Sequence, residues 1–593
     1  MDWFIEQKRK TIKSLMDTGE FSPLEAILLG NRGIATLKDA NEYYHATMED
    51  APDPFLFQGM EIAVQYILEC LESEIPIRIC GDYDQDGVTA TVILMRGIRH
   101  FARELGLDAD TAVSYAIPDR MEDGYGINRN MVDQAIREGC GLIITCDNGI
   151  AAFDALEYAF EQQIPVIVTD HHQLRMENGE AQLPPAEAVL NPHYTGSGYP
   201  FADLCGAGVA LKLIYAIAIA LKDSSQEIRD LVQFAAMGTI GDVVPLRGEN
   251  RIIVREGLRV LNERRNPGID MLLRVQGWNR PVNVYAVGFL IGPCINASGR
   301  LVTARLAVEL LLEEDESTLE QYARELCTLN HERQELTGSG VESALENLKD
   351  TKIPHVIVQY LPEVHESVCG LIAGRIKDQF YRPTLIFTDA QDEGQALLKG
   401  SGRSIPPYNM FEELNQYRDR YVAFGGHAMA CGMTIAKADF DAIRTLLNQN
   451  PELENADWKP FLTMDTKLLF RHIDFRLMNI LDRMQPFGSA NQAPNFVTAG
   501  VNLRQLRLVG ARKNVLQLIA EQDGISFRGV LFQGDKKIQE LQNMPEGHLF
   551  SLLLQGREAP VSFDIAYRPE WNEFQGNQSI QLRVLDLRFS KTP

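Results

Sequence analysis

Four short apolar runs, at 75–80, 112–117, 142–146 and 165–169, alternate with stretches of helical periodicity at 88–105, 129–137 and 151–161. Parallel strands need a crossover, and a helix between each pair supplies it, so this alternation predicts a mostly parallel sheet. Runs such as Leu142-Ile143-Ile144 and Val166-Ile167-Val168 are apolar on consecutive residues, which requires cover on both faces of the sheet. Three runs then end in acid or imidazole: Asp82-Tyr83-Asp84-Gln85-Asp86-Gly87, Asp147-Asn148-Gly149 and Asp170-His171-His172. Ligand sites in open parallel sheets lie outside the carboxyl ends of the strands. Like charges delivered to that place repel one another, and a divalent cation is the natural remedy.

The first segment imitates the opening of a calcium EF-hand loop, D-x-D-x-D-G. That reading fails, because Ile93 stands at the twelfth position and a strand precedes the loop. A solvated turn accounts for one such segment but poorly for recurrence at three strand ends. Asp242 lies in the apolar segment Gly238-Thr239-Ile240-Gly241-Asp242-Val243-Val244-Pro245. It is either a further ligand, since burying a lone acid is costly, or an ordinary loop acid. Carboxylates with a single imidazole suit Mn²⁺ or Mg²⁺ better than Zn²⁺. A set of this size can hold two ions sharing a bridging carboxylate, and such pairs hydrolyse phosphoesters in line.

From 313 to 348 the chain is polar and free of Pro at helical spacing, which predicts one long connecting helix. A second α/β pattern begins at Ile353, with strands at 356–360 and 384–388 around a helix near 367–378. From Phe496 onward, β-runs at 502–509, 515–520, 526–532, 549–554, 562–567 and 580–587 predict a small barrel. The 593 residues carry a formal net charge of −24, which repels a polyanion unless positive charge is gathered locally. From Val497 to the end, twelve Lys and Arg stand against ten Asp and Glu, so this segment alone does not repel nucleic acid by its sum. It holds Tyr567, Trp571 and Phe574, and exposed aromatics on small barrels stack single-stranded bases. A barrel core with a solvated surface reads the same way.

The most apolar stretch, 204–222, is interrupted by Lys212 and falls short of the ~20 residues a spanning helix needs. Nine Cys without a C-x-x-C pair exclude the common zinc and redox spacings. Met1 to Ile12 has no apolar core like that of a signal peptide. The expectation is a soluble, cytoplasmic chain with reduced thiols.

Taken in order, these segments resemble the DHH phosphoesterase superfamily, named for the Asp170-His171-His172 type of motif, and within it the bacterial exonucleases specific for single-stranded DNA. The resemblance covers nearly the whole chain. It is carried by GDYDQDGVTAT from Gly81, DRMEDGYGIN from Asp119, TCDNGI from Thr145, VTDHH from Val168, LNPH from Leu190 and GTIGDVVPL from Gly238. NASGRL from Asn296, GSGRS from Gly400 and GGHAMACG from Gly425 complete it. A DHH triplet alone is weak; the ordered set is highly specific.

The resemblance implies an α/β fold with a DHH-type parallel-sheet catalytic domain at 51–312 after an N-terminal helical arm at 1–50. A connecting helix at 313–350, an α/β DHH-associated domain at 351–455 and an OB-fold β-barrel at 456–593 would follow. One ion would be held by Asp82, Asp84 and Asp147, the other by Asp86, Asp147, His171 and Asp242, with Asp147 bridging. His172, Asp147 and Asp170 form the implied catalytic set: His172 faces the scissile phosphate and Asp170 orients the His pair. Arg120, Ser401, Arg403 and Ser404 resemble the family's pocket for a 5′-terminal phosphate. Asn296 and Arg300 would touch the phosphate near the metals, and His427 the substrate at the cleft. Arg375 is as compatible with an ordinary surface residue as with a DNA contact.

The implied activity is Mn²⁺- or Mg²⁺-dependent 5′→3′ degradation of single-stranded DNA to nucleotides, in recombinational and mismatch repair, beside a helicase and a single-strand-binding protein. Cys294 stands where the family usually has Arg, Val302 where Asp is common, and Glu366-Ser367 where Pro-Gly is usual. Two rivals differ in class. Relatives acting on pyrophosphate, cyclic dinucleotides or very short oligonucleotides usually begin the first motif with His and lack the barrel. A catalytically dead binding scaffold should have lost the ligands that are all present here.

Overall fold

The computed structural model describes residues 1–593 except 120–123, 391–395, 450–457, 575 and 591–593. It comprises two compact bodies. One contains Pro52–Val244 and Glu256–Pro460, the other Met1–Ala51, Pro245–Arg255 and Phe461–Pro593.

The first body is built on five parallel strands: β1 (Ile77–Cys80), β2 (Val113–Ala116), β3 (Leu142–Cys146), β4 (Val166–Thr169) and β5 (Ala188–Leu190). Their order across the sheet is β2-β1-β3-β4-β5. Every residue of β1, β3 and β4 is buried, as their consecutive apolar runs require. The strand order reverses between β1 and β3, so the crevice outside their carboxyl ends is the topological switch point. Two helices pack on the sheet, α1 (Gln85–Glu104) and α2 (Gly206–Leu221), and α3 (Val232–Gly241) packs on both of them. Lys212, which breaks the apolar run, sits inside α2 and donates from Nζ to Pro52 O at 2.6 Å. Among the described residues no helix is long and apolar enough to cross a membrane.

Further along, a helical segment ends in α4 (Gly292–Leu301), and the expected long helix is α5 (Glu316–Leu348), N-capped by Asp315. The second sheet has β6 (Ile357–Tyr360), β7 (Thr384–Asp389), β8 (Leu397–Arg403), β9 (Tyr421–His427) and β10 (Ala430–Ala436), in the order β9-β10-β8-β7-β6. Only β6 and β7 are parallel, and α6 (Cys369–Phe380) makes the crossover between them.

The other body holds a barrel. Its strands are β11 (Phe496–Val509), β12 (Val515–Gln522), β13 (Ile525–Phe532), β14 (Phe563–Phe574) and β15 (Asn577–Phe589), ordered β11-β12-β13-β15-β14, with β14 pairing back onto β11 to close it. The strand expected at 549–554 is instead a helix, Gly547–Leu554. Its apolar run is compatible with either element by periodicity, and Phe550 together with Leu553 and Leu554 turns onto the core at helical spacing. Leu28 from the N-terminal segment shares that core with Phe496, Phe550 and Tyr567. Arg251 is buried there too, its guanidinium 3.9 Å from the Tyr43 ring centroid and its Nη2 donating to Gln485 O at 2.8 Å.

Candidate functional site

At the switch point the structure gathers the carboxylates of three loops. Asp82 and Asp84 follow β1, Asp147 follows β3, and Asp170, His171 and His172 follow β4. The registers that pair Cys80 with Thr145 and Cys146 with Thr169 bring these strand ends level. Asp242 arrives from another direction as the C-cap of α3, where the negative end of the helix dipole disfavours a carboxylate. Ligand atoms of Asp82, Asp84 and Asp147 lie within 4.8 Å of one another, as do those of Asp86, His171 and Asp242, and those of Asp147, His171 and His172. His171 Nε2 is 3.1 Å from Asp147 Oδ1 and 3.7 Å from both Asp86 Oδ2 and Asp242 Oδ2.

Backbone amides hold three of the acids, Asp84, Asp86 and Asp170. Asp84 N-caps α1, its Oδ1 accepting from the amides of Asp86 and Gly87 at 2.9 and 3.1 Å. Asp86 accepts from Gly206 N at 2.7 Å and Ala207 N at 3.0 Å, so the N-terminus of α2 compensates its charge. Asp147 takes φ 61, a left-handed conformation that few residues other than glycine adopt. Among the described residues its buried Oδ1 makes no hydrogen bond, although His171 Nε2 lies 3.1 Å away. Asp170 Oδ1 accepts from His171 N, His172 N and His172 Nδ1 at 2.7, 3.0 and 2.7 Å, and its Oδ2 from Ile150 N at 2.9 Å. That is the arrangement of an orienting acid.

Electrostatics agree with this geometry. Burial, then the charges of Asp86, Asp84, Asp82 and Asp170, raise the Asp147 carboxyl well above its ordinary range. Burial and the charges of Asp86 and Asp84 push Asp242 up to about 8. Burial lowers His171 and so favours the neutral imidazole, the form that offers a lone pair. Burial also opposes charge on His172, but the hydrogen bond and charge of Asp170 lift it to about 9.

A hard divalent cation fits this place. The donors are carboxylates and one imidazole, one buried carboxylate oxygen makes no hydrogen bond among the described residues, and glycines keep the space open. A Cβ on Gly206 would lie 2.5 Å from Asp147 Oδ1, and one on Gly238 would lie 2.3 Å from Asp86 Oδ1.

A second feature of the same body is a cavity of about 540 Å³ lined by Arg300, Ser367, Gly370, Lys399, Ser401 and Arg403 among others. Ser401 and Arg403 share one face of β8, two residues apart. Arg403 Nη1 donates to Ser401 Oγ at 3.2 Å, and Gly370 in the first turn of α6 lies against both side chains. The amino end of α6 thus adds its dipole to the cations. Arg300 Nη1 donates to Ser367 O at 2.8 Å, joining α4 to this wall. Asn296 Oδ1 accepts from Gln85 N at 2.8 Å, which ties α4 to the carboxylate loop.

Of the other expected contacts, Ser404 and Tyr567 are buried. Ser404 is buried and donates from Oγ to Tyr408 O at 2.6 Å, away from the cavity, because strand alternation turns it opposite to Arg403. His427 is exposed at the β9–β10 turn, its Nδ1 accepting from Met429 N at 3.2 Å. Arg375 is exposed on α6. Tyr567 is 0% exposed, so it cannot stack a base. It lies on the inward face of β14 with Phe563 and Ile565, its hydroxyl 2.9 Å from Thr498 Oγ1. Trp571 is half-buried against the barrel core and donates from Nε1 to Asp482 Oδ2 at 2.9 Å. Arg120 and the side chain of Phe574 lie outside the described residues.

Sequence reasoning alone passes over four residues. The Tyr125 hydroxyl donates to Asp147 O at 2.8 Å and lies 3.2 Å from the His172 ring nitrogens. Asn148 donates to Cys80 O and Cys146 O and accepts from Ile127 N, which locks the ends of β1 and β3 together. Both stand inside the motifs that begin at Asp119 and Thr145. Lys399 lines the cavity and pairs with Glu366 at 3.1 Å. Phe532, 57% exposed on the barrel with the Arg583 guanidinium 5.5 Å from its ring centroid, has no motif to mark it. Arg504 and Arg528 are exposed on β11 and β13, both opposite Ile519 of β12.

Family models for the DHH family N-terminal domain, the DHHA1 domain and the RecJ OB domain match residues 76–239, 354–451 and 464–586. Together with the acids at the switch point, they define a chain of the DHH class. It is 32% identical over 610 residues to the single-stranded-DNA-specific exonuclease RecJ of Escherichia coli (strain K12), covering 98% of each chain. It is 34% identical over 523 residues to RecJ of Bacillus subtilis (strain 168), covering 87% of this chain but only 64% of that longer one. The structure of RecJ with Mn²⁺ from Thermus thermophilus aligns with TM-score 0.78 at 26% identity over 100% of this chain and 80% of that one. The chain belongs to the RecJ family.

Proposed function

We propose that this chain removes nucleotides from the 5′ end of single-stranded DNA by metal-dependent phosphodiester hydrolysis. The observation that carries the reading is the presence, within one body, of a buried carboxylate–imidazole cluster and a separate cationic cavity holding Ser401 and Arg403. Relatives solved with Mn²⁺ and Mg²⁺ support the same ions here. Asp82, Asp84 and Asp147 would hold one and Asp86, Asp147, His171 and Asp242 the other, with Asp147 shared. Metal bound there would supply a hydroxide nucleophile at neutral pH and stabilise charge in the transition state.

The side chains do the rest. Asp170 and Tyr125 hold the His172 ring, so that it can hydrogen-bond an oxygen of the scissile phosphate. Arg403 and Ser401, with the amino end of α6, grip the terminal 5′-phosphate, and Arg300 extends that wall. Anchoring the terminus at a fixed distance from the cluster sets the bond to be cut. The barrel guides the incoming strand through exposed cations such as Arg504 and Arg528. The setting is cytoplasmic DNA repair, recombinational and mismatch, beside a helicase and a single-strand-binding protein.

The test is hydrolysis of 5′- and 3′-labelled single strands, duplex and dinucleotides, each with Mn²⁺, Mg²⁺ or a chelator. Mononucleotides released from the 5′ end of single strands, with the metals only, are expected. Release from the 3′ end, or cleavage of dinucleotides alone, overturns the reading.

A further inference from the structure

Of the nine cysteines, eight are buried and one, Cys327, is half-buried. Cys327 lies on α5 and faces Cys294 of α4, which is 1% exposed. The two helices pack along each other, and the two thiols come within hydrogen-bonding reach. Asn330, one turn after Cys327, also reaches the Cys294 thiol, and its Oδ1 accepts from Arg333 Nη2 at 2.8 Å. Neither sulfur takes part in the carboxylate cluster or lines the cationic cavity.

Contact alone does not make thiols reactive. Cys80 and Cys146 are also neighbours, but both are 0% exposed, and burial pushes both thiols up. The pair at 294 and 327 is unequal. The hydrogen bond from Cys294 holds the Cys327 thiol below its ordinary value against the opposing effect of burial, and the Arg324 guanidinium adds to the hydrogen bond. The same hydrogen bond, then burial, raises Cys294. Cys327 therefore gives up its proton first, and it is the one of the two that solvent reaches. An accessible thiolate beside a second thiol is the arrangement of a peroxide-responsive pair, and transient disulfides of this kind serve redox sensing in reducing compartments.

We propose that Cys327 and Cys294 form a reversible disulfide when the chain meets hydrogen peroxide, and that this bond slows the nuclease. The Cys327 thiolate attacks one peroxide oxygen and the O–O bond breaks. A sulfenic acid forms on Cys327, and the other oxygen leaves as hydroxide, which takes up the proton that Cys327 gave up. The Cys294 sulfur then attacks the Cys327 sulfur, the S–O bond breaks, and a second water leaves with the Cys294 proton. Two thiols are oxidised and one peroxide is reduced to two waters; a dithiol reductant reverses the change by exchange.

The consequence follows from what α4 carries. Asn296, two residues after Cys294, accepts from the Gln85 amide between Asp84 and Asp86, and Arg300 lies on the wall of the cationic cavity. A disulfide holds its sulfurs closer than any hydrogen bond does, so oxidation draws α4 towards α5 and moves Asn296 and Arg300 with it. Misplacing such groups by ~1 Å costs on the order of 100-fold in rate. The effect on turnover rests on the nuclease reading of the site; the disulfide itself does not.

In the experiment, the reduced full chain is treated with hydrogen peroxide and then freed of it. One portion is digested without reduction for peptide mass spectrometry. The other is assayed with Mn²⁺ on a 5′-phosphorylated single strand, before and after a dithiol. A Cys294–Cys327 crosslink is expected, with kcat about tenfold or more lower and both changes reversed by the dithiol. Cys327→Ser, and separately Cys327→Ala, should keep the rate of the reduced chain and lose the response to peroxide. Absence of the crosslink in the treated wild-type chain overturns the proposal. So does a crosslinked chain that keeps its full rate, or equal inactivation by peroxide in a folded Cys327→Ser. A reduced wild-type chain that cleaves no single strand overturns the nuclease reading and the effect on turnover, while the crosslink map still decides the disulfide.

Discussion

The carboxylate cluster and the barrel treat charge in opposite ways. In the cluster, Asp82, Asp86 and Asp147 are buried side by side, and Asp242 meets the wrong end of a helix dipole. In the barrel, Arg504, Arg507, Arg512 and Arg528 stand in water on strands and turns. Buried like charges leave the folded chain short of a compensating cation, so the cluster is built for a small, tightly held ion. Exposed, separated cations cannot hold a small anion, but together they attract a polyanion weakly and in a salt-dependent manner. On the proposed reading, one region does chemistry at a point and the other guides a polymer.

The comparison breaks most visibly at Asp147. Asp147→Asn removes the charge shared between the two ligand groups while keeping the side-chain shape. Loss of several kcal/mol of transition-state stabilisation predicts a turnover lower by about a thousandfold or more. The metal-free variant should nevertheless melt at a higher temperature than the metal-free wild type, because one repelling charge is gone. Steady-state rates and a calorimetric melt check both halves.

Removing the metal sharpens the same contrast. The carboxyls of Asp147 and Asp242 titrate higher in the folded chain than in the unfolded one, Asp242 at about 8. The folded chain then holds more protons, so its stability is greatest below the unfolded value near 4 and falls as pH rises towards 8. The metal-free protein should lose melting temperature across that window. Mn²⁺ at ~100 times its dissociation constant should add about 2.7 kcal/mol per site, and at one fixed Mn²⁺ concentration the shift in melting temperature should be larger at pH 8 than at pH 5. A melting temperature that rises with pH in the absence of metal contradicts the crowded cluster.

At the cavity, Arg403→Ala should raise KM for a 5′-phosphorylated strand and blunt the preference over a 5′-hydroxyl. The expected loss is about 1.5–3 kcal/mol, that of a charge-assisted hydrogen bond. Equal preference in wild type and variant places the terminal phosphate elsewhere. Tyr125→Phe tests the positioning of His172. Losing one hydrogen bond of about 0.5–1.5 kcal/mol predicts kcat lower by roughly two- to tenfold with KM little changed.

Much of the cluster was legible in the sequence because strand ends are legible. Once 142–146 reads as a buried strand, Asp147 can only emerge at the carboxyl edge, and the same holds for Asp82 and Asp170. What could not be read was which donor compensates which acid: the grip of α2 on Asp86 joins residues 120 positions apart. The cavity was half legible. Period-two alternation separates Ser401 and Arg403 from Ser404, whose hydroxyl turns to Tyr408 O instead of the cavity. The barrel was least legible. Phe563, Ile565 and Tyr567 share the inward face of β14, but a barrel strand flanked by other apolar residues does not announce its inner side. An exposed aromatic there, Phe532, carries no motif at all.

The smallest effect is expected at the barrel itself. Arg504→Gln/Arg528→Gln should leave turnover on a trinucleotide unchanged. The salt slope of long-strand binding should shrink by about 0.7 for each phosphate that is no longer neutralised. Substitution is a cleaner probe than truncation, because a cut before Val497 would strip Leu28, Phe470 and Leu477 of the core they share with the strands.

The central claim is that one cluster holds two ions across Asp147. Its most direct test is titration of the metal-free chain with Mn²⁺, followed by electron paramagnetic resonance and by nuclease rate on the same samples. The account predicts two ions per chain, a spin-coupled spectrum that grows in step with activity, and loss of the coupling in Asp147→Asn. Full activity with a single uncoupled Mn²⁺, or a coupled spectrum that survives Asp147→Asn, would contradict it.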